Sequence, residues 1–213
     1  MNRLPINFIK RILKKFEMFF FKKGYYPVQI IDNIPLIFIH INKNGGTSMS
    51  EAIGMKRKIH RSAIKIKEIV SQNEWNDSIK FTIIRNPFSR VVSQYNFSKK
   101  TGLINKNLKF KEWVIKTYGL QRPSKRFFRN NYIFKTQLDW ITIENVIITD
   151  YILRFENLEK DILSMNKKFG TSIRLKHLNS TKKVDYKTYY DSESKEIISN
   201  FFNKDLTYFN YEF

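Results

Sequence analysis

The sequence predicts an α/β fold of three layers, with helices on both sides of a parallel central sheet and a P-loop-like phosphate-binding loop at the sheet's edge. Three observations predict it. Short apolar runs rich in Ile and Phe, at residues 36–41 and 79–84, alternate with helical patterns. A polar loop bearing two glycines follows the first run, and Arg-Asn-Pro follows the second. With 213 residues, 42% apolar and 15% aromatic, the chain is long enough to bury a substantial core.

Residues 1–29 read as a basic N-terminal segment and 30–213 as the domain. Within 7–22, Ile9, Ile12, Leu13, Phe16 and Phe19 fall at helical spacing, with Arg11, Lys14, Lys15 and Lys22 between them. Such a helix either lies on an anionic membrane surface or docks on the domain with its basic face in water, the plainer of the two readings. Gly24 and Pro27 end it.

Residues 36–41 read as a buried parallel strand, since both faces must be apolar when helices cover both sides. The loop Asn42-Lys43-Asn44-Gly45-Gly46 follows, and Thr47 or Ser48 opens a short helix to about Ile53, stopped by Gly54. A helix is expected at 62–71, then the second strand, then a helix from Pro87 to about Ser98. Residues 109–118 read as helical, 146–148 and 152–155 as short strands. Asn157 is placed to cap a helix to Phe169, and Asp191 or Ser192 one to about Phe202. A polar, Tyr-rich loop at 179–190 precedes that last helix.

Strand, glycine loop and helix together form an anion site. Gly45 and Gly46 let backbone N–H groups approach phosphate oxygens, Lys43 adds a mobile charge, and Thr47 and Ser48 add hydroxyl donors. In the nucleoside triphosphatase pattern GxxxxGK[ST] the Lys follows the glycines, whereas Lys43 precedes them here. Arg85 ends the second strand, at the edge where open α/β sheets bind ligands, and Ser93 lies two turns along the next helix, on roughly the face of Arg90 and Phe97.

The segment IHINKNGGTS resembles the 5′-phosphosulfate loop of sulfotransferases that use 3′-phosphoadenosine-5′-phosphosulfate (PAPS), especially the carbohydrate branch and its bacterial relatives, where it runs roughly H-x-P-K-x-G-G-T-S. Asn42 stands here in place of the usual Pro. Residues 85–95, RNPFSRVVSQY, resemble the same family's 3′-phosphate motif R-[ND]-P-x-x-R-x-x-S-x-Y. Arg154-Phe155-Glu156-Asn157-Leu158 with Asp161, the late stretch from His177 through Tyr190, and Asp205-Leu206 with Phe209 and Tyr211 are similar to later family stretches.

The resemblance implies PAPS as donor, no metal, and a saccharide or glycolipid hydroxyl as acceptor. Lys43, Asn44, Gly45, Gly46, Thr47 and Ser48 would hold the 5′ side, Arg85 and Ser93 the 3′-phosphate. Ser180, Thr181, Lys182 and Lys183 would belong to a loop closing over the nucleotide. Lys43 would also act on the bridging oxygen, and His60, within His60-Arg61-Ser62, would be the base that takes the acceptor proton. His40, read as buried support for the loop, and the carboxylates Glu156 and Glu144 are the alternatives for the base.

A formal net charge of +20, from 39 Lys and Arg against 19 Asp and Glu, attracts polyanions without choosing among them. A nucleic-acid-binding module is the second reading, but no RNA-binding aromatic motif or zinc finger supports it, so no nucleic acid partner is expected. A phosphotransferase is the third, opposed by the position of the lysine. The absence of cysteine excludes disulfides, thiolate–zinc sites and thiol nucleophiles. No apolar run approaches about 20 residues, and Lys and Arg interrupt the first 23 residues. The expected location is the cytoplasm; where residues 7–22 take the membrane-surface reading, the contact is peripheral, at the inner face of a membrane. Basic residues at 56–67 and 122–129 are candidates for an acidic-glycan groove.

Overall fold

The computed structural model describes residues 26–55, 60–120, 133–175 and 185–213. The expected helix at 7–22, the basic residues at 122–129 and the loop with Ser180, Thr181, Lys182 and Lys183 lie outside the described residues.

The main sheet has four strands in the order β1 (Val28–Ile31), β2 (Ile34–Ile39), β3 (Ile79–Ile84) and β6 (Tyr151–Arg154). Strands β2, β3 and β6 are parallel, with Phe38 opposite Phe81 and Ile83 opposite Leu153. The sheet is therefore mostly parallel, as read, but β1 is antiparallel and pairs Val28 with Ile37. Asp32 and Asn33 both take positive φ (51° and 65°) in the two-residue turn that makes this hairpin. These two residue types tolerate that conformation, and the resulting turn matches strand twist. Their turn signal places the first strand at Val28, just ahead of the boundary read near residue 30.

Helix α1 (Gly46–Ala52) follows β2, and α2 (Ala63–Lys67) and α3 (Gln72–Asp77) precede β3. The helix expected at 62–71 is α2, which ends sooner, at Lys67, and α3 stands where the reading passed straight to the second strand. Ser71 accepts the Glu74 backbone N–H while the Glu74 carboxylate accepts that of Ser71, a reciprocal cap that starts a new helix. Helix α4 (Pro87–Lys100) follows β3, then α5 (Phe110–Val114), which runs into a π-helical turn at Ile115–Gly119. The stretch read as a strand at 146–148 is β5 (Val146–Ile147), and it joins β4 (Thr142–Ile143) in a separate hairpin after α6 (Gln137–Ile141). Helices α7 (Leu158–Phe169), α8 (Ser192–Phe201) and α9 (Asn203–Phe209) complete the chain. Asp191 caps α8 through the Ser194 N–H, whereas Asn157 makes no side-chain cap on α7.

Both faces of the sheet are buried, which is why its inner strands are continuously apolar. On one face Leu36, Phe38, Phe81 and Leu153 pack under Met49 of α1, Ile53 just after it, and Ile162 and Met165 of α7. On the other, Ile37, Ile39 and Ile84 pack under Ile66, Trp75, Trp140 and Phe209. Each fully buried large side chain contributes about 1.5–3 kcal/mol. A third cluster, rich in edge-to-face aromatic pairs, joins α4, α5 and α8 through Phe88, Tyr95, Phe110, Trp113, Tyr118 and Phe202. No helix among the described residues is long and apolar enough to cross a membrane. Because β2, β3 and β6 run parallel, the chain leaves all three at one edge, so residues 40–46, 85–87 and 155–157 meet there.

Candidate active site

At the first of these exits the backbone makes the cup. Gly45 takes φ +78°, and a Cβ there would stand 2.9 Å from the Phe155 ring. At Gly46 the His40 ring occupies the place a Cβ would need, so only glycine fits. His40 is buried and stacks on Phe38, with ring centroids 5.3 Å apart. It is the floor of the loop, as expected of it. Asn42, the departure from the family pattern, seats Arg90: its Oδ1 accepts from Arg90 Nη2 at 2.7 Å and its carbonyl from Nε at 3.3 Å. The Asn44 side chain points into the core, donating to the Ile83 carbonyl and to Gln137 Oε1, both at 2.7 Å. That leaves only its main chain for a ligand. Thr47 is half-buried and Ser48 buried where α1 begins.

Lys43 itself has a left-handed backbone (φ 68°), uncommon for a side chain with a Cβ. Its Nζ lies 3.3 Å from the centroid of the Phe97 ring, a cation–π contact on a side chain that is 42% exposed. Burial, then the Arg85 charge, lower its pKa from 10.5 to about 8.

Arg85 reaches across to the first loop. Nη1 donates to the Lys43 carbonyl at 3.0 Å, Nε donates to Ser89 Oγ at 2.9 Å, and the guanidinium lies over the Phe155 ring at 4.2 Å. Burial lowers its pKa to about 10, which leaves it cationic at neutral pH. The two sequence motifs are thus parts of one site. Among the described residues, no carboxylate forms an ion pair with Lys43 or Arg85. Two desolvated cations beside one backbone cup constitute an anion site.

Ser93 is half-buried in the second turn of α4. Ser89, Ser93 and Phe97 are four residues apart and form one stripe of α4. Ser89 holds Arg85 and Phe97 carries Lys43, which puts Ser93 between the two cations. Arg90, three residues before Ser93 and seven before Phe97, borders that stripe. It is buried against Asn42 and the Lys135 carbonyl, on the face that also carries Gln94.

His60 is half-buried beside the loop, its ring 4.2 Å from that of His40. Nδ1 donates to the His40 carbonyl at 3.3 Å, which puts the lone pair on Nε2. Burial lowers its pKa, the Lys43 and Arg90 charges lower it further, and the bond to His40 opposes them. The imidazole is therefore neutral at neutral pH. The carboxylate alternatives are engaged or displaced. Glu156 accepts the Asn86 N–H at 2.7 Å and the Tyr211 hydroxyl at 2.9 Å, and Glu144 sits in the exposed turn between β4 and β5.

Several organising residues escaped sequence reading. Gln137 and Asp205 brace the Arg85 backbone from α6 and α9, and nothing near Gln137 marks it. Asp205 and Tyr211 do lie in a stretch similar to the family's, which was a signal for importance without a role. No group of three or more His, Cys, Asp or Glu among the described residues is placed to hold a metal ion.

A model of the sulfotransferase family matches residues 27–212, nearly the whole of the described chain. The chain belongs to the sulfotransferase family. It is an enzyme of sulfuryl transfer that uses PAPS as donor. The sulfotransferase is 31% identical over 108 residues to an uncharacterized protein of Archaeoglobus fulgidus, a match covering 49% of this chain and 78% of that one. Its fold is similar to that of mouse sulfotransferase SULT7A1 complexed with PAP, with a TM-score of 0.51 and 12% identity, over 86% of this chain and 88% of that one. A sulfotransferase from Alicyclobacillus acidocaldarius matches at a TM-score of 0.36 and 19% identity, over 62% of this chain and 53% of that one.

Proposed function

We propose that this sulfotransferase sulfates a hydroxyl of a carbohydrate acceptor, a glycan or glycolipid, and that Lys43, His60, Arg85 and Ser93 are its working side chains. The observation that carries the assignment is the hydrogen bond from Arg85 to the Lys43 carbonyl, which makes the two phosphate motifs one site. PAPS fits that site chemically. The cup admits no Cβ at Gly46, and its two cations have no carboxylate ion pair among the described residues.

PAPS, when bound, supplies an activated sulfuryl group on its 5′-phosphate oxygen. Loop N–H groups with Thr47 and Ser48 hold the 5′ side, and Arg85 with Ser93 holds the 3′-phosphate. Lys43 neutralises the negative charge that grows on the bridging oxygen. Nε2 of His60 takes the proton from the acceptor hydroxyl, a role suited to its neutral state and fixed tautomer. Ser180, Lys182 and Lys183, outside the described residues, are assigned to the nucleotide by the family resemblance alone. The acceptor class rests on the resemblance to carbohydrate sulfotransferases, and the +20 charge is compatible with an acidic glycan. A cytoplasmic site of action, with residues 7–22 against an anionic membrane, belongs to the same reading.

PAP, named with the mouse structure, is the nucleotide that remains when PAPS gives up its sulfuryl group. Calorimetry should show tight binding of adenosine 3′,5′-bisphosphate and weak binding of ATP. The reverse order would return the chain to the phosphotransferase reading, and salt-dependent binding of DNA or RNA with no nucleotide preference would favour the nucleic-acid module. A screen with radiolabelled donor then decides the acceptor. Labelled saccharide is expected, and label only in phenols or simple alcohols would overturn the carbohydrate assignment.

A further inference from the structure

One side chain outside both phosphate motifs joins the two halves of the site. Gln137 is fully buried at the start of α6. Its Oε1 accepts the Arg85 backbone N–H at 2.8 Å and Asn44 Nδ2 at 2.7 Å, and its Nε2 donates to the Arg85 carbonyl at 2.8 Å. One amide oxygen therefore touches the Lys43 loop and the Arg85 turn together. The glutamine is itself held: its N–H donates to Asp205 Oδ2 at 2.7 Å, and that of Leu138 donates to Oδ1 at 3.1 Å. Asp205 is also buried, so this support is screened from water.

We infer that Gln137 is a positioning residue that sets the spacing between the 5′ cup at residues 42–46 and the 3′ cup at Arg85. The inference rests on the nucleotide reading above. A ligand with two phosphates on one nucleoside gains affinity over a ligand with one because its second contact forms within the complex. That gain is lost when the spacing of the two cups no longer matches the ligand. A residue that sets the spacing is felt by bisphosphate ligands and hardly at all by monophosphates.

The test compares three probes on the native protein and on Gln137→Met by calorimetry: adenosine 3′,5′-bisphosphate, adenosine 5′-monophosphate and adenosine 3′-monophosphate. Methionine keeps the length and volume of glutamine without its hydrogen bonds. Both monophosphates should bind the variant within about twofold of the native protein, and the bisphosphate should weaken by about tenfold or more. Equal weakening of all three, or an unchanged bisphosphate, would overturn the inference while leaving the nucleotide reading intact. A native protein with no preference for the bisphosphate would sink both. Should Gln137→Met fail to fold, Asn44→Ala cuts the same bridge from the loop side, through a side chain that faces away from the cup. The same three ligands and the same criterion then decide.

Discussion

Around Lys43 the anion cup is made of backbone, shaped by two glycines and the ring of His40, whereas around Arg85 it is made of side chains braced by other side chains. The first cup is local: the residues that shape it lie mostly within 38–48, with Phe155 closing one side. The second depends on Ser89, Phe155, Gln137 and Asp205, drawn from across the chain. The difference teaches where each fails. A backbone cup fails when an atom is added, and a side-chain cup fails when an atom is removed.

The largest effects should come from the two cations, which test whether the cups act as one site. Lys43→Ala and Arg85→Ala should each lower kcat/KM by about 10²–10³-fold or more, the scale of removing one well-placed electrostatic donor. Circular dichroism and the thermal midpoint should stay near native. The contrast sharpens with Arg85→Lys, which keeps the charge but not the fork that spans the Lys43 carbonyl and Ser89. It should bind donor more weakly than native, and native-like donor binding would show that the fork is dispensable.

Adding an atom tests the first cup. Gly46→Ala drives a Cβ into the His40 ring, and the loop must move to relieve it. Turnover should fall by about 10²-fold, the scale expected when catalytic groups are displaced by about an ångström. Shrinking the floor with His40→Ala in the same chain should restore part of the loss, seen as non-additive kinetics. Purely additive losses would place the clash elsewhere.

The same contrast explains what the sequence made readable. Residues 42–48 and 79–93 carry their geometry in local residue order: an apolar strand, glycines where no Cβ fits, Pro87 at a helix start. The cups and the three parallel strands follow from that. Gln137 carries no such mark, because its meaning comes from a loop 93 residues earlier and a helix 68 residues later. The β1 hairpin was missed although Asp32-Asn33 is a turn signal, and the helix at Gln72–Asp77 although Ser71 and Glu74 spell a capping box. In both places apolar periodicity outweighed a shorter polar signal.

Acidity offers a gentler probe of how the first cup works. His60 acts as a neutral base, so kcat/KM should rise with pH through a pKa below the ordinary value of about 6.5. Lys43 acts as a cation, so kcat/KM should fall as pH passes about 8, its value in the free protein. The profile is a bell, measured from about pH 5 to 9.5. His60→Ala should remove the acid limb, and Lys43→Arg should carry the alkaline limb upward. An acid limb that persists in His60→Ala would end its assignment as base.

The smallest expected effects distinguish the two serines of the α4 stripe. Ser89 holds Arg85 through Nε, while Ser93 lies between the two cations and is assigned to the 3′-phosphate. Removing a hydroxyl that contacts a charged group costs about 1.5–3 kcal/mol, roughly ten- to hundredfold in binding. Removing one that only orients a guanidinium with other partners costs less, because the Lys43 carbonyl and Phe155 still fix Arg85. Ser93→Ala should therefore raise the Kd for adenosine 3′,5′-bisphosphate by about tenfold or more and leave adenosine 5′-monophosphate nearly unchanged. Ser89→Ala should shift the bisphosphate only a few-fold. If Ser89→Ala proved the more damaging of the two, the 3′-phosphate would lie a turn nearer the start of α4, and Ser89 would take over the contact given to Ser93.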